Sequence, residues 1–314
     1  MVDSKQQWKA WLYLSPAIVL LLVFTVWPII NTVRISLLEG YSAMEAAGGA
    51  TYSFGFENFV KVVKYKKFLT CLKNTVLLCV LTVPISTILA LLIAVGLNSI
   101  KFLQKGLQTI FFLPYVTNSI AIGMVFAAMF NIVGSFLGTE NEIVETAGII
   151  NNVFMFFGGK PVNWINAGST WGANLTVMVV YIVWNALPFK ILVLLGGLQS
   201  INKQYYDAAK VDGTSRARTL TRITVPLLSP MLAYVVITGF MGGFKEYSSI
   251  VGIFGEKMGP VGDAGRLNTM VGYIYEVLPD MNYGDASAAA LILFAIILVV
   301  TMINLQVSKK RVHF

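Results

Sequence analysis

The chain has 314 residues, 56% of them hydrophobic and only 12% charged, with a mean hydropathy of +0.73; a water-soluble domain cannot hide that much apolar side chain, so the composition marks an integral membrane protein. The net charge of +8 does not point to nucleic acid, because the basic residues are scattered between apolar runs and form no stripe with interleaved aromatics. Cys71 and Cys79 lie in one apolar run, about 12 Å apart along a helix and beyond disulfide reach, and are read as packing residues.

A bilayer core about 30 Å thick needs about 20 apolar residues per helix. Six segments qualify: 9–30, 70–97, 107–132, 171–198, 227–253 and 285–307. The expected fold is therefore an all-α integral membrane protein with six transmembrane helices, forming one domain over 1–314. The first span follows Lys5 and Lys9 as a signal sequence would, but no small-residue cleavage site follows Trp27 and Pro28, so 9–30 is read as an uncleaved anchor. Between spans, the basic stretch FVKVVKYKKFLTCLK reads as an amphipathic surface helix leading into the second span. The excursion 133–170, with IINNVFMFF and GGKPVNWIN, is too short for a domain and reads as a surface-lying or re-entrant helix and a turn.

Six spans put both ends on one side, and positive charge selects the side. With the ends cytoplasmic, the inner segments hold 12 basic residues, including Lys5, Lys9, Lys101, Lys105 and Lys309, against nine in the outer segments. The acids agree: Glu140, Glu142 and Glu145 fall in one outer loop, and Glu276, Asp280 and Asp285 in another.

Ionisable side chains inside a span cost several kcal/mol on insertion scales, roughly 2.5–3.5 at mid-helix, and normally face a cavity, a partner or a pathway. Lys190, in VWNALPFKILVLL, lies about 12 Å from the end of its span. It either snorkels to the headgroups or faces a path. Lys245 and Glu246 are adjacent and point to different faces; Lys245 pairs with Glu246 or with a neighbouring subunit, or one of the two faces the path while the other pairs or snorkels. The sharper reading is that Asn185, Phe189 and Lys190 on one helix, with Gly243, Glu246 and Tyr247 on the next, line a solute path near the midplane. An aromatic face with amide and carboxylate partners is what a sugar needs, and the two lysines leave room for an acidic or phosphorylated one. Gly239 and Gly243 form a G-x-x-x-G that by itself marks close helix packing. Pro84, Pro114 and Pro188 are expected to kink their spans, and Trp27, Trp164 and Trp171 to anchor at the interface.

Between the fourth and fifth spans, 199–226 reads QSINKQYYDAAKVDGTSRARTLTRITVP, too polar for lipid. A short helix over 202–211 has Asp207 three residues before Lys210, Gly213 allows a sharp turn, and Thr214 can cap a second helix carrying Arg216, Arg218 and Arg222. Such a helix-turn-helix is either a basic loop held at headgroups or a handle for something outside the membrane. No catalytic constellation is present: the one histidine is His313, which excludes a His-based triad or metal site, and FGGKP lacks the spacing of a phosphate-binding loop.

YYDAAKVDG followed by ITVPLLSP resembles the E-A-A signature of binding-protein-dependent ABC importer permeases, in spacing and in Ala208, Ala209, Gly213, Ile223 and Pro226. Asp207 stands where the family prefers Glu, and Val225 where Leu is usual. Stretches such as FGFENFVKV, LQTIFFLPYV, GFKEYSSIVGIF and GDASAAALILFAIIL extend the resemblance to the carbohydrate-uptake subfamily over nearly the whole chain. The resemblance implies a type I (MetI-like) importer permease in a prokaryotic cell membrane. It also implies that Asp207, Ala208, Ala209 and Gly213 belong to a coupling helix docked on an ATPase. Two ATPase subunits holding ATP and Mg, a second permease and an extracytoplasmic solute-binding protein are the implied partners; this chain itself holds no cofactor. The same signature occurs in importers of glycerol phosphate, polyamines or phosphate. An ATP-independent carrier or channel is the rival from another class.

Overall fold

In the computed structural model of the chain, residues 7–100, 104–133 and 146–311 are described. Lys5, Lys101, Glu140, Glu142, Glu145 and His313 fall outside them. The helices, in chain order, are α1 (Trp8–Ser36), α2 (Ala43–Ala47), α3 (Glu57–Lys64), α4 (Lys66–Ser99), α5 (Gln104–Val116), α6 (Ser119–Phe130) and α7 (Ile149–Phe156). They continue as α8 (Trp171–Ser200), α9 (Lys203–Val211), α10 (Arg216–Leu227), α11 (Ser229–Gly243), α12 (Ser248–Phe254), α13 (Met270–Val277) and α14 (Tyr283–Arg311). Among the described residues the only β-ladder pairs Ile132–Val133 with Thr146–Ala147.

Four helices, α1, α4, α8 and most of α14, are each long and apolar enough to cross a membrane. The other two expected spans are broken. The segment 107–132 is two helices, α5 and α6, parted at Thr117 and Asn118, where Asn118 Oδ1 caps α6 by accepting the N–H groups of Ile120 and Ala121 at 2.9 and 3.3 Å. The segment 227–253 belongs to three helices: α10 meets α11 at 72°, and the chain leaves helix after Gly243 and restarts as α12. Pro226 and Pro230 flank the bend between α10 and α11, whereas two of the three prolines expected to kink their spans interrupt nothing. α4 runs through Pro84 and α8 through Pro188 without interruption, because unpaired backbone beside lipid costs more than one missing donor.

The contacts resolve two compact units: the chain up to Leu69 with Tyr273–Phe294, and Thr70–Gly272 with the chain from Ala295. In the first, Asn58, 3% exposed, donates from Nδ2 to the carbonyls of Ser36 and Leu38 at 3.0 and 2.7 Å, fastening α3 to the end of α1. Two cations of the basic stretch are paired locally: Lys61 with Asp285 at 2.6 Å and Lys67 with Glu276, so two of the nine cations assigned to outer segments by the sequence are neutralised by acids assigned to the same side. The apolar residues of α1 are almost all exposed.

The second unit has two apolar clusters strung along α8. Met178, Tyr181 and Ile182 join Phe126, Phe130, Ile250 and Ile253 in one, while Ile191, Leu194, Leu195 and Leu198 join Ala90, Ala94, Leu97, Leu228 and Val235 in the other. Asn185 to Lys190 lie between them. α6 and α12 touch backbone to backbone: a Cβ on Gly123 would lie 2.7 Å from Gly252 Cα, and one on Gly252 2.9 Å from Gly123 Cα. Neither backbone has a flexible side chain to move aside. Gly123→Ala and Gly252→Ala are therefore expected to destabilise the purified chain by about 1–3 kcal/mol. Gly96→Ala, in open space, should cost nothing. Thermal unfolding midpoints in detergent check this; equal midpoints for all three would contradict it.

Candidate functional site

The middle of α8 opens on a cavity of about 290 Å³ that is also lined by α4, α5 and α11. Its wall includes Thr82, Ser86, Tyr115, Asn185, Phe189, Lys190, Gly239, Gly243 and Glu246. Five of the six residues expected on a solute path thus meet on one surface. Tyr247 does not. It packs against the apolar cluster around Tyr181 and Ile250, because the chain is out of helix between Gly243 and Ser248 and the side chains of 246 and 247 diverge.

Lys190 is the strongest electrostatic feature. It is 3% exposed, and its Nζ donates to Ser86 Oγ at 2.7 Å, Thr87 Oγ1 at 2.9 Å and the Val83 carbonyl at 3.2 Å. An ammonium has three N–H bonds, and all three are used. The hydroxyls are free to accept because their own protons go back along α4, Ser86 Oγ to Thr82 O at 2.6 Å and Thr87 Oγ1 to Val83 O at 2.7 Å. Lys190 therefore neither snorkels nor presents a free N–H to the cavity; it ties α8 to a single turn of α4. Room for it comes from Gly239, where a Cβ would sit 3.2 Å from Nζ, and Gly243 likewise lets α11 approach Cys79, whose Sγ would lie 2.7 Å from an added Cβ. The G-x-x-x-G is a helix-packing stripe that also forms part of the cavity wall.

Glu246 stands in the break between α11 and α12. Its Oε1 accepts the backbone N–H groups of Tyr247 and Ser249, both at 3.1 Å, and its own carbonyl accepts from Thr269 Oγ1 at 2.8 Å. Among the described residues the expected Lys245–Glu246 ion pair does not form; Lys245 is exposed and Glu246 serves its own helix start. Asn185 Nδ2 reaches Ser119 Oγ at 3.5 Å, and Ser119 in turn bonds the Tyr181 hydroxyl. On the aromatic side, Phe189 stacks on Tyr115 with centroids 5.8 Å apart and planes 20° apart, and lies 6.3 Å from Tyr234. The result is a cavity lined by aromatic rings together with amide, carboxylate and hydroxyl groups. Thr82, Ser86 and Tyr115 were not anticipated; the hydroxyl run TVPIST in an otherwise apolar span was the available signal.

The polar elbow follows directly from α8. Asn202 caps α9, its Oδ1 accepting Gln204 N–H at 3.0 Å. The helix ends in a Schellman turn: Thr214 N donates to Ala209 O at 2.9 Å and Gly213 N to Lys210 O at 3.1 Å, with Gly213 at φ +64°. The second helix is capped by Ser215, which accepts Arg218 N–H at 3.4 Å, and not by Thr214, which lies one residue before the cap position and donates its N–H to close the first helix. Ala209 is buried and Tyr206 reaches Thr224 Oγ1 at 3.3 Å, so one side of α9 packs inward. The other side, with Tyr205, Asp207, Ala208 and Val211, is exposed; Asp207 is held by Lys210 at 3.3 Å.

Residues 78–313 match the family described as binding-protein-dependent transport system inner membrane component. The lactose transport system permease protein LacF of Rhizobium radiobacter is 29% identical over 303 residues, covering 94% of this chain and 91% of that protein. The arabinooligosaccharides transport system permease protein AraP of Bacillus subtilis is 29% identical, covering 95% and 88%, and the trehalose/maltose transport system permease protein MalF of Thermococcus litoralis 28%, covering 96% and 94%. A chain of the bacterial alginate ABC transporter, solved with an alginate pentasaccharide-bound periplasmic protein, superimposes with a TM-score of 0.77 at 23% identity, covering 98% of this chain and 96% of that one. That likeness fixes the fold, and the family match extends through α8, the elbow and the helices after it: this multi-pass membrane chain belongs to the inner membrane components of binding-protein-dependent transport systems.

Proposed function

We propose that the chain is the pore-forming subunit of an ATP-driven carbohydrate importer, working by alternating access in a six-span arrangement with both termini cytoplasmic. The observation that carries the reading is the direct run from cavity to elbow. α8 lines the cavity at Asn185 and Phe189 and passes after Ser200 into α9, whose exposed side offers Tyr205, Ala208 and Val211 to a partner. An ATPase gripping α9 would move α8 as a lever and so reshape the cavity. Two ATPase subunits with ATP and Mg, a second permease and an extracytoplasmic binding protein complete the machine. The orientation is supported by the basic excess on the elbow side and by the neutralisation of Lys61 and Lys67 on the other.

A sugar as solute is supported by the named solutes of the similar permeases and by the cavity's lining, which sets Tyr115 and Phe189 beside the polar Asn185 and Glu246. A phosphorylated or acidic solute is less well served, since Lys190 has already given its three N–H bonds to α4.

In proteoliposomes holding the complete importer, Ala208→Glu should leave the chain folded, because the site is exposed, and uncouple ATP hydrolysis from sugar uptake. Gly213→Pro should do the same by removing the N–H that closes α9 and demanding a negative φ where the turn needs a positive one. Normal uptake per ATP in both variants would count against the lever. Asn185→Ala and Glu246→Gln each remove a polar partner from the cavity and should raise the half-saturating sugar concentration about tenfold, the equivalent of 1–2 kcal/mol, with coupling intact. Unchanged saturation curves would place the solute elsewhere.

A further inference from the structure

The elbow's second limb carries three cations that the lever does not use. Arg216, Arg218 and Arg222 are exposed, and among the described residues none of their guanidinium groups meets a carboxylate or donates a hydrogen bond inside the chain. Other cations near acids behave differently: Lys61, Lys67, Lys210 and Arg266 are all paired. Three unpaired guanidinium groups within seven positions form a concentrated positive charge, and their planar forks match phosphate oxygens.

The direction of α10 says what lies beside them. It is bent 72° from the apolar α11. Spanning helices tilt about 20° from the bilayer normal on average, so a limb bent that far runs closer to the membrane plane than to its normal. α10 is also two-sided. Leu220, Ile223 and Leu227 recur at intervals of three and four on one side, while Arg218 and Arg222 share the other; Arg216, four residues before Leu220, stands at the helix start on the apolar side. Arg222 stands seven residues before Ser229, where α11 starts, about 10 Å along the chain's helical path. The partner-facing surface of α9 lies on the other limb, beyond Gly213.

We propose that α10 is a dock for acidic phospholipid, with Arg216, Arg218 and Arg222 clasping headgroup phosphates of the cytoplasmic leaflet. The proposal rests on the reading of 199–226 as cytoplasmic. Anionic lipid gathered there holds the foot of α11 at headgroup level and gives the elbow a fixed point to turn about.

The test titrates the purified full-length chain in detergent with phosphatidylglycerol, with phosphatidylcholine of the same acyl chains and with inorganic phosphate, counting bound molecules by native mass spectrometry. Phosphatidylglycerol should bind in preference to both, and added salt should weaken it. The R216Q/R218Q/R222Q variant should bind it at least about tenfold more weakly, each arginine contributing roughly fivefold at low salt. The R216K/R218K/R222K variant, which keeps the charge, should stay within about fivefold of the parent, and Lys160→Gln should match it. Equal binding of phosphatidylcholine overturns the dock, as does phosphatidylglycerol binding that survives the glutamine variant within about twofold. Loss in both the lysine and glutamine variants overturns it too, since charge would not be the cause. If the glutamine variant keeps its lipid but no longer co-purifies with the ATPase subunits, the arginines face protein and the dock is wrong. No transport step enters the titration, so failure of the importer reading is separately visible.

Discussion

Lys190 sets the terms for the second unit of this protein. A lone ammonium among apolar clusters is tolerated only when each N–H has an acceptor, and α4 supplies all three from one turn. The bond set explains several features together. Ser86 and Thr87 are hydroxyl residues because they must accept while back-bonding to their own helix, and Gly239 is bare because a side chain there would crowd the ammonium. The cavity sits beside this knot, between the two apolar clusters of α8.

The same accounting governs the helix breaks. Two of the places where the chain stops being helical inside an apolar segment carry their own acceptor, Asn118 for the start of α6 and Glu246 for the start of α12; at the third, Leu228, Pro230 stands in the first turn of α11 and has no N–H to satisfy. Buried N–H groups at the first two starts would otherwise go unpaired. Glu246 is thus fixed by its duty to the backbone before it offers anything to a solute.

Most of the helical architecture was legible in the sequence, since the length of an apolar run follows from membrane thickness, and α1, α4, α8 and α14 match their expected segments with longer ends. The breaks were not legible. Pro84 and Pro188, expected to kink their spans, sit in unbroken helices, while the interruptions at Asn118 and Glu246 fall where a side chain replaces the missing helical bonds and the bend at Leu228 falls between Pro226 and Pro230. At the candidate site, the spacing of Asn185, Phe189 and Lys190 on one helix and of Gly239 and Gly243 on another placed them correctly near one another. Tyr247 was misplaced because a helical continuation was assumed past Gly243. The acceptors of Lys190 were missed because hydroxyls in apolar helices usually satisfy themselves, and only the three-dimensional fold shows that their lone pairs remained for another helix.

The bare stripe of α11 bears on the bore of the cavity. Gly239 receives the side chains of Val83 and Lys190 and Gly243 that of Cys79, whose Sγ also reaches the Phe240 carbonyl at 3.7 Å, while the ammonium ties α4 to α8. Three helices are thus drawn together at two positions where one of them has no side chain to hold the others off. A methyl group at either glycine would act as a wedge, and it would have to spread α11 from a pair of helices that cannot yield separately.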